Sequence, residues 1–188
     1  MAKRYALVMD QRRCIGCHTC TIACKLENNS GEGIKWIQVK TIGGGEMDQP
    51  KGRYPHLSMY YQPVTCMHCK DAPCIPACPT NSLYKRDDGI VILDQGICNG
   101  CQDCILACPY DVITFNVESG KAEKCHLCCH RIEAGEIPFC AKECVWGAII
   151  FGDINDPTSE ASKLIASRKG FVLRAEKGTN PSNHYVGP

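Results

Sequence analysis

No run of apolar residues approaches the eighteen that a membrane-crossing helix needs, so no transmembrane segment is expected. An excess of charge of one sign is also missing. Lysine and arginine number 21 against 20 aspartates and glutamates, a formal net charge of +1. That balance excludes nucleic acid as a partner bound through a basic surface, and it excludes an acidic disordered tail. Aromatics are sparse at 7%, and the apolar fraction of 44% counts every cysteine. If sixteen of those cysteines are polar ligands, roughly 36% of the 188 residues remain apolar, a thin core that needs help from disulfides or metals. A signal peptide is not expected either. The opening Tyr5-Ala6-Leu7-Val8-Met9 run breaks at Asp10 with no small-residue cleavage site, and Arg12-Arg13 leads into Cys14 rather than into an apolar stretch. The expected location is cytoplasmic, or periplasmic by co-export with a partner.

What the chain has is cysteine, 17 in all. They stand at 14, 17, 20, 24; at 66, 69, 74, 78; at 98, 101, 104, 108; and at 125, 128, 129, 140, 144. The first and third groups read C-x2-C-x2-C-x3-C, the second C-x2-C-x4-C-x3-C, and the fourth a C-x2-C followed later by C-x3-C. Disulfide frameworks scatter their cysteines, and an odd total suits them poorly. Zinc sites use paired C-x2-C knuckles but have no use for a third and fourth cysteine so close behind. The run is the bacterial ferredoxin signature, in which three thiolates wrap one cubane and the fourth reaches a second cluster. Pro79 and Pro109 follow Cys78 and Cys108, and Ala23, Ala77 and Ala107 precede the fourth cysteine of three groups. Sixteen ligands make four 4Fe-4S clusters. Cys128 rather than Cys129 keeps the knuckle spacing with Cys125, so Cys129 is read as a non-ligand thiol packed beside a cluster.

Cys14-Ile15-Gly16-Cys17-His18 is also a literal haem-attachment sequence, but haem would orphan Cys20 and Cys24. His68 and His126, inside knuckles, are read as exposed or tuning neighbours rather than iron ligands. Lys70, Lys85, Arg86, Lys124 and Arg131 lie near cysteines and are in place to offset cluster charge, with solvated surface charge the simpler reading of each.

The chain also repeats itself. Ser82-Leu83-Tyr84-Lys85 turns at Asp87-Asp88-Gly89 into Ile90-Val91-Ile92-Leu93, and Val112-Ile113-Thr114-Phe115 turns at Ser119-Gly120 before Cys125. Each reads as a β-hairpin between a cysteine helix and the next knuckle. The expected fold class is α+β, with two ferredoxin-like modules of two clusters each (βαββαβ-type pseudo-repeats), a β-hairpin insert and a C-terminal extension. Module I takes residues 1–24 with 109–152 (groups one and four), and module II takes 64–108 (groups two and three). The insert is 25–63, with strands over 35–42 and 57–61 and a surface loop at Gly43-Gly44-Gly45. Residues 153–188 are the extension: a helix with Asp156 as N-cap and Pro157 first, running to about Arg168, then a polar tail suited to lie along a partner.

These residues resemble a known family, the four-cluster iron-sulfur electron-transfer subunits of molybdopterin and tungstopterin oxidoreductases, of the polysulfide, thiosulfate, dimethyl sulfoxide and arsenate reductase type. The likeness extends from the strand before Cys14 to the terminal Gly178-Thr179-Asn180-Pro181. It includes Ala23-Cys24-Lys25-Leu26-Glu27-Asn28, Cys66-Met67-His68-Cys69, Cys108-Pro109-Tyr110 and His130-Arg131-Ile132-Glu133-Ala134-Gly135. The resemblance implies cluster 1 on Cys14, Cys17, Cys20 and Cys144, cluster 2 on Cys24, Cys125, Cys128 and Cys140, cluster 3 on Cys66, Cys69, Cys74 and Cys108, and cluster 4 on Cys78, Cys98, Cys101 and Cys104. It implies that cluster 1 faces a large molybdopterin- or tungstopterin-containing catalytic subunit, the only place where a molybdenum or tungsten pterin is expected. Cluster 4 then faces a membrane quinone-reactive subunit or another redox protein. Cys101 is present where some relatives lose a ligand and hold three irons. Departures are the missing Pro after Cys24 and Cys144, and Cys129 where relatives commonly carry a larger residue. No acid-base or nucleophile constellation stands outside the cysteines, so the chain is expected to be non-catalytic on its own. A compact chain of this length has a radius of gyration of roughly 16 Å, too wide for one comfortable tunnelling hop, and clusters in line would divide it. The alternative is a free-standing polyferredoxin shuttle, which needs neither the insert nor the tail.

Overall fold

A computed structural model describes residues 2–44 and 49–187. Its centre is strand β1 (Tyr5–Asp10), whose Ala6, Leu7, Val8 and Met9 are fully buried without alternation. A continuous apolar run of this kind is what a strand covered on both faces requires. Leu7 and Met9 face the large core that holds most of the buried cysteines, while Val8 packs with Ile150, Ala161 and Val186 in a small second core.

Helix α1 (Thr19–Asn28) follows the first knuckle. It continues a full turn past Cys24, which explains the absence of a proline there: at position 25 a proline would break the helix. Lys25 instead donates from Nζ to the carbonyls of Ser30, Gly31 and Ile34, closing the loop that leaves the helix. Strands β2 (Ile37–Ile42), β3 (Lys51–Arg53), β4 (His56–Ser58) and β5 (Tyr60–Thr65) form the insert. β2 pairs antiparallel with β5, and β3 with β4. The expected second strand over 57–61 is therefore the end of one short strand and the start of another. Of the glycine loop, Gly45 lies outside the described residues.

The two hairpins occur as expected: β6 (Leu83–Lys85) with β7 (Val91–Leu93), and β8 (Thr114–Asn116) with β9 (Lys121–Glu123), with the short helix α2 (Asp103–Ala107) between them. The helix expected at the end of group two is absent. From Ala72 to Cys78 the chain runs in successive turns, with Ile75 N–H bonded to Ala72 O and Cys78 N–H to Ile75 O. Pro73, Pro76 and Pro79 remove the donors a regular helix would need.

Helices α3 (Cys129–Glu133) and α4 (Phe139–Lys142) lead to β10 (Ile149–Asp153), antiparallel to β1. Helix α5 (Glu160–Ser167) covers the second core. Its N-cap is Ser159, not Asp156: the Ser159 hydroxyl accepts from Ser162 N–H at 3.1 Å, while Asp156 spends its carboxylate on Thr158 in a turn just before. Both residues are good caps, and the local turn at Asp156 wins that side chain.

The tail does not extend away from the body. A one-turn helix over Ala175–Lys177 leads to β11 (His184–Val186), which lies parallel to β1 and completes the sheet order β10-β1-β11. Asn183 accepts from Leu7 N–H through Oδ1 and donates from Nδ2 to Cys66 O, both at 2.8 Å. Ser182 donates to His68 O, and the buried Tyr185 hydroxyl to Pro63 O. The polar residues that suggested an outward-lying segment are buried because they satisfy backbone groups of β1 and of the Cys66–Cys69 knuckle.

Candidate iron-sulfur sites

Each of the four C-x2-C knuckles bends at the same place. The residue before its second cysteine sits in the left-handed region: Gly16 at φ +74°, His68 at +44°, Gly100 at +74° and Leu127 at +56°. A left-handed residue reverses the chain within one step, which turns both cysteines toward one centre. Glycine marked two of the four in the sequence; His68 and Leu127, both buried, carried no such signal. Gly100 has a second constraint, since an added Cβ would stand 2.2 Å from Gly120 O.

The cysteines gather in four sets. Cys14, Cys17, Cys20 and Cys144 line one space of about 340 Å³, with Ile15 and Trp146 at its rim. Cys24, Cys125, Cys128 and Cys140 line a second of about 320 Å³. Cys66, Cys69, Cys74 and Cys108 line a third of about 330 Å³. Cys104 lies within electrostatic reach of Cys101, Cys78 and Cys98, the fourth set. Among the described residues no three His, Cys, Asp or Glu side chains converge as they would on a single metal ion. The thiols ring volumes instead, as a multi-iron core demands and a zinc ion does not.

Electrostatics inside these rings decides whether the donor set fits such a core. Burial, then the charge of neighbouring cysteines, pushes Cys20 up to about 12 and Cys104 to about 11. Burial likewise takes Cys69 up to about 11. It does the same to Cys24 and Cys140, whose ring neighbours add to it. Four such thiols do not ionise together in a bare cavity; they do so when iron supplies the compensating positive charge. Cys78 differs: burial raises it, but hydrogen bonds with Ser82, 3.0 Å away, and Thr80 outweigh that and bring it down to about 7. Backbone N–H groups also reach sulfur, Leu127 to Cys125 and Ala148 to Cys144, each at 3.2 Å. Such N–H···S bonds are a main lever on cluster potential.

Connectivity between the sets is built into the backbone. Cys20 and Cys24 are one turn apart on α1 and belong to sets one and two; Cys140 and Cys144 join the same two sets. The pairs Cys74 with Cys78 and Cys104 with Cys108 join sets three and four with the same spacing. Sets two and three meet where Cys125 comes within electrostatic reach of Cys66. The order is one, two, three, four. Exposure follows that order: Cys17 and Cys101 are the exposed cysteines of the chain, in the first and fourth sets, whereas every member of the second is buried.

Cys129 is half-buried, outside all four sets, with Sγ 4.0 Å from His126 Nδ1. His126 packs edge-on between Trp36 and His130, and burial pulls it down to about 4. His68 is fully buried and accepts Val91 N–H at Nδ1, 3.1 Å away, which places its proton on Nε2. Of the five cations close to cysteines in sequence, Lys70 is exposed, Arg86 is paired with Asp88 and Glu133, and Arg131 with Glu27 and Glu136. Lys85 is partly exposed. Lys124 contradicts the surface reading: it is 3% exposed and turned inward.

Fold and rings together define a ferredoxin-like iron-sulfur protein of the α+β class. Two models of the 4Fe-4S dicluster domain match, one over residues 13–82 and the other over 57–154. The iron-sulfur subunit of a dimethyl sulfoxide reductase from Halobacterium salinarum is 44% identical over 97% of this chain and 78% of its own length. A tetrathionate reductase subunit of Salmonella typhimurium is 40% identical over 98% of this chain and 72% of its own length. One of the polysulfide reductase chains of Wolinella succinogenes is 36% identical, over 96% and 93% respectively. The chain belongs to this family of 4Fe-4S dicluster iron-sulfur subunits; it carries four 4Fe-4S clusters and transfers electrons. No described helix is long and apolar enough to cross a membrane.

Proposed function

We propose that this chain is the non-catalytic wire of a reductase complex, carrying electrons between a large molybdopterin- or tungstopterin-containing subunit and a membrane quinone-linked or soluble redox partner. The reading rests on the linear order of the four cysteine sets, with exposed members only at its two ends. Those ends also carry uncovered apolar side chains: Ile15, Val145 and Trp146 around the first set, Ile97 and Leu106 around the fourth. Apolar residues ringing an exposed ligand suit a permanent partner surface better than contact with water.

In this reading the ligands are those of the four rings, and each ring holds one cubane: Cys14, Cys17, Cys20 and Cys144; Cys24, Cys125, Cys128 and Cys140; Cys66, Cys69, Cys74 and Cys108; Cys78, Cys98, Cys101 and Cys104. The first pair of rings defines module I, built from the two ends of the cysteine-bearing chain, and the second pair module II, a βαββαβ-type pseudo-repeat of the first. The chain's own contribution is to fix spacing, exclude water from the middle rings and donate hydrogen bonds to sulfur. The electron path asks no side chain for acid-base work. The complex resides in the cytoplasm or crosses to the periplasm already folded.

Native purification tests this. Co-elution with a large subunit containing molybdenum or tungsten is expected. Recovery as a lone monomer with four clusters and no companion would overturn the wire reading in favour of a free shuttle.

A further inference from the structure

The junction between the second and third sets contains a buried cation that has no carboxylate. Lys124 follows β9 and immediately precedes Cys125. Its Nζ donates to Cys125 O at 3.0 Å and also to Val91 O. Val91 lines the space ringed by Cys66, Cys69, Cys74 and Cys108, so the ammonium is held between that space and the ring to which Cys125 belongs. Its positive charge favours the Cys74 thiolate. Among the described residues no aspartate or glutamate forms an ion pair with it.

Two carbonyls do not repay the desolvation of an ammonium. A fixed negative charge close by would, and the two rings are where one resides, since four thiolates around a cubane leave a net anionic centre that becomes more negative on reduction. Other cations approach these rings differently. Arg4 and Lys85 reach the Cys69 side of the third ring from partly exposed positions, and Arg131 beside Cys128 is neutralised by Glu27.

We propose that Lys124 is a positioning residue for electron transfer: its buried ammonium raises the reduction potentials of the second and third centres together and so keeps the hop between the modules open. The transfer it assists moves one electron, the donor centre losing it and the acceptor centre gaining it, with no bond made and no proton displaced. The inference rests on the four-cluster reading, and it assigns the otherwise unpaired interior charge to the one junction that no helix bridges. Because the charge is buried, its influence is screened little by salt, unlike that of Arg4 and Lys85.

The test is an EPR-monitored redox titration of the cluster-loaded full chain, comparing wild type with Lys124→Met and Lys124→Arg at low and high ionic strength. Iron and sulfide content is measured first. Fewer than four clusters in the wild type would remove the four-cluster reading itself. With four present, Lys124→Met is expected to shift two of the four potentials to more negative values, by the same amount at both salt concentrations. Lys124→Arg is expected to keep them close to wild type. Four unchanged potentials in a fully loaded Met variant would overturn the proposal. If the Met variant loses iron, Lys124→Gln, which retains a donor for Val91 O without the charge, takes its place; unchanged potentials there count equally against it.

Discussion

At the scale of single residues, a thiol's role is set by which ring it faces rather than by its neighbours in sequence. Cys128 and Cys129 are adjacent, yet Cys128 lies in the second set and is pushed up by burial, while Cys129 starts α3 beside His126 and touches no ring. Cys129→Ser is expected to keep full iron and acid-labile sulfide, whereas Cys128→Ser is expected to lose or convert one cluster of the four; metal analysis with EPR distinguishes the two. Spacing made this difference legible, because only Cys128 keeps the knuckle interval from Cys125. The interior position of Lys124 was not legible. A lysine beside a cysteine reads as surface charge unless the carbonyls that receive it are known, and one of them belongs to Val91, thirty-three residues away in sequence.

Among the elements, the tail and β1 act as one. Asn183 links Leu7 of β1 to Cys66 of the third ring's knuckle, and Arg4 donates from its guanidinium to Asn180 O, Pro181 O and Ser182 Oγ, clasping the segment just before. Asn183→Ala would orphan a buried N–H and a buried carbonyl, at about 1–3 kcal/mol each. The expected outcome is a lower Tm of the loaded protein, with loss of the third cluster preceding global unfolding in a thermal scan followed by visible absorbance. Hairpins and the first strand could be read from the sequence because alternation and turn residues are local signals. The tail could not: β11 is three residues long, and its partner lies at the other end of the chain. The N-cap shift from Asp156 to Ser159 has a local cause of the same kind, a turn and a helix competing for one carboxylate.

For the whole molecule, the thin apolar core and the four rings are two sides of one fact. Of the buried residues in the main core, many are cysteines whose burial makes sense only with iron among them. Stripping the iron is expected to leave crowded, desolvated thiols without compensation, and the chain should lose its fixed tertiary structure; near-UV circular dichroism after chelation and again after reconstitution measures this. Cysteine spacing made the rings' membership readable in outline, because the number of residues between ligands is a property of the sequence. The equal bends that orient the knuckles were half hidden, since glycine announced them at Gly16 and Gly100 but not at His68 or Leu127. The uneven exposure of the ligands also sets an order of decay. Oxygen reaches Cys17 and Cys101 directly, while every ligand of the second ring is buried. A chain separated from its partners should therefore corrode from its two ends inward, giving three-iron signals from the outer centres while the middle pair still titrates normally, and assembly into a complex should suppress that decay at whichever end is covered.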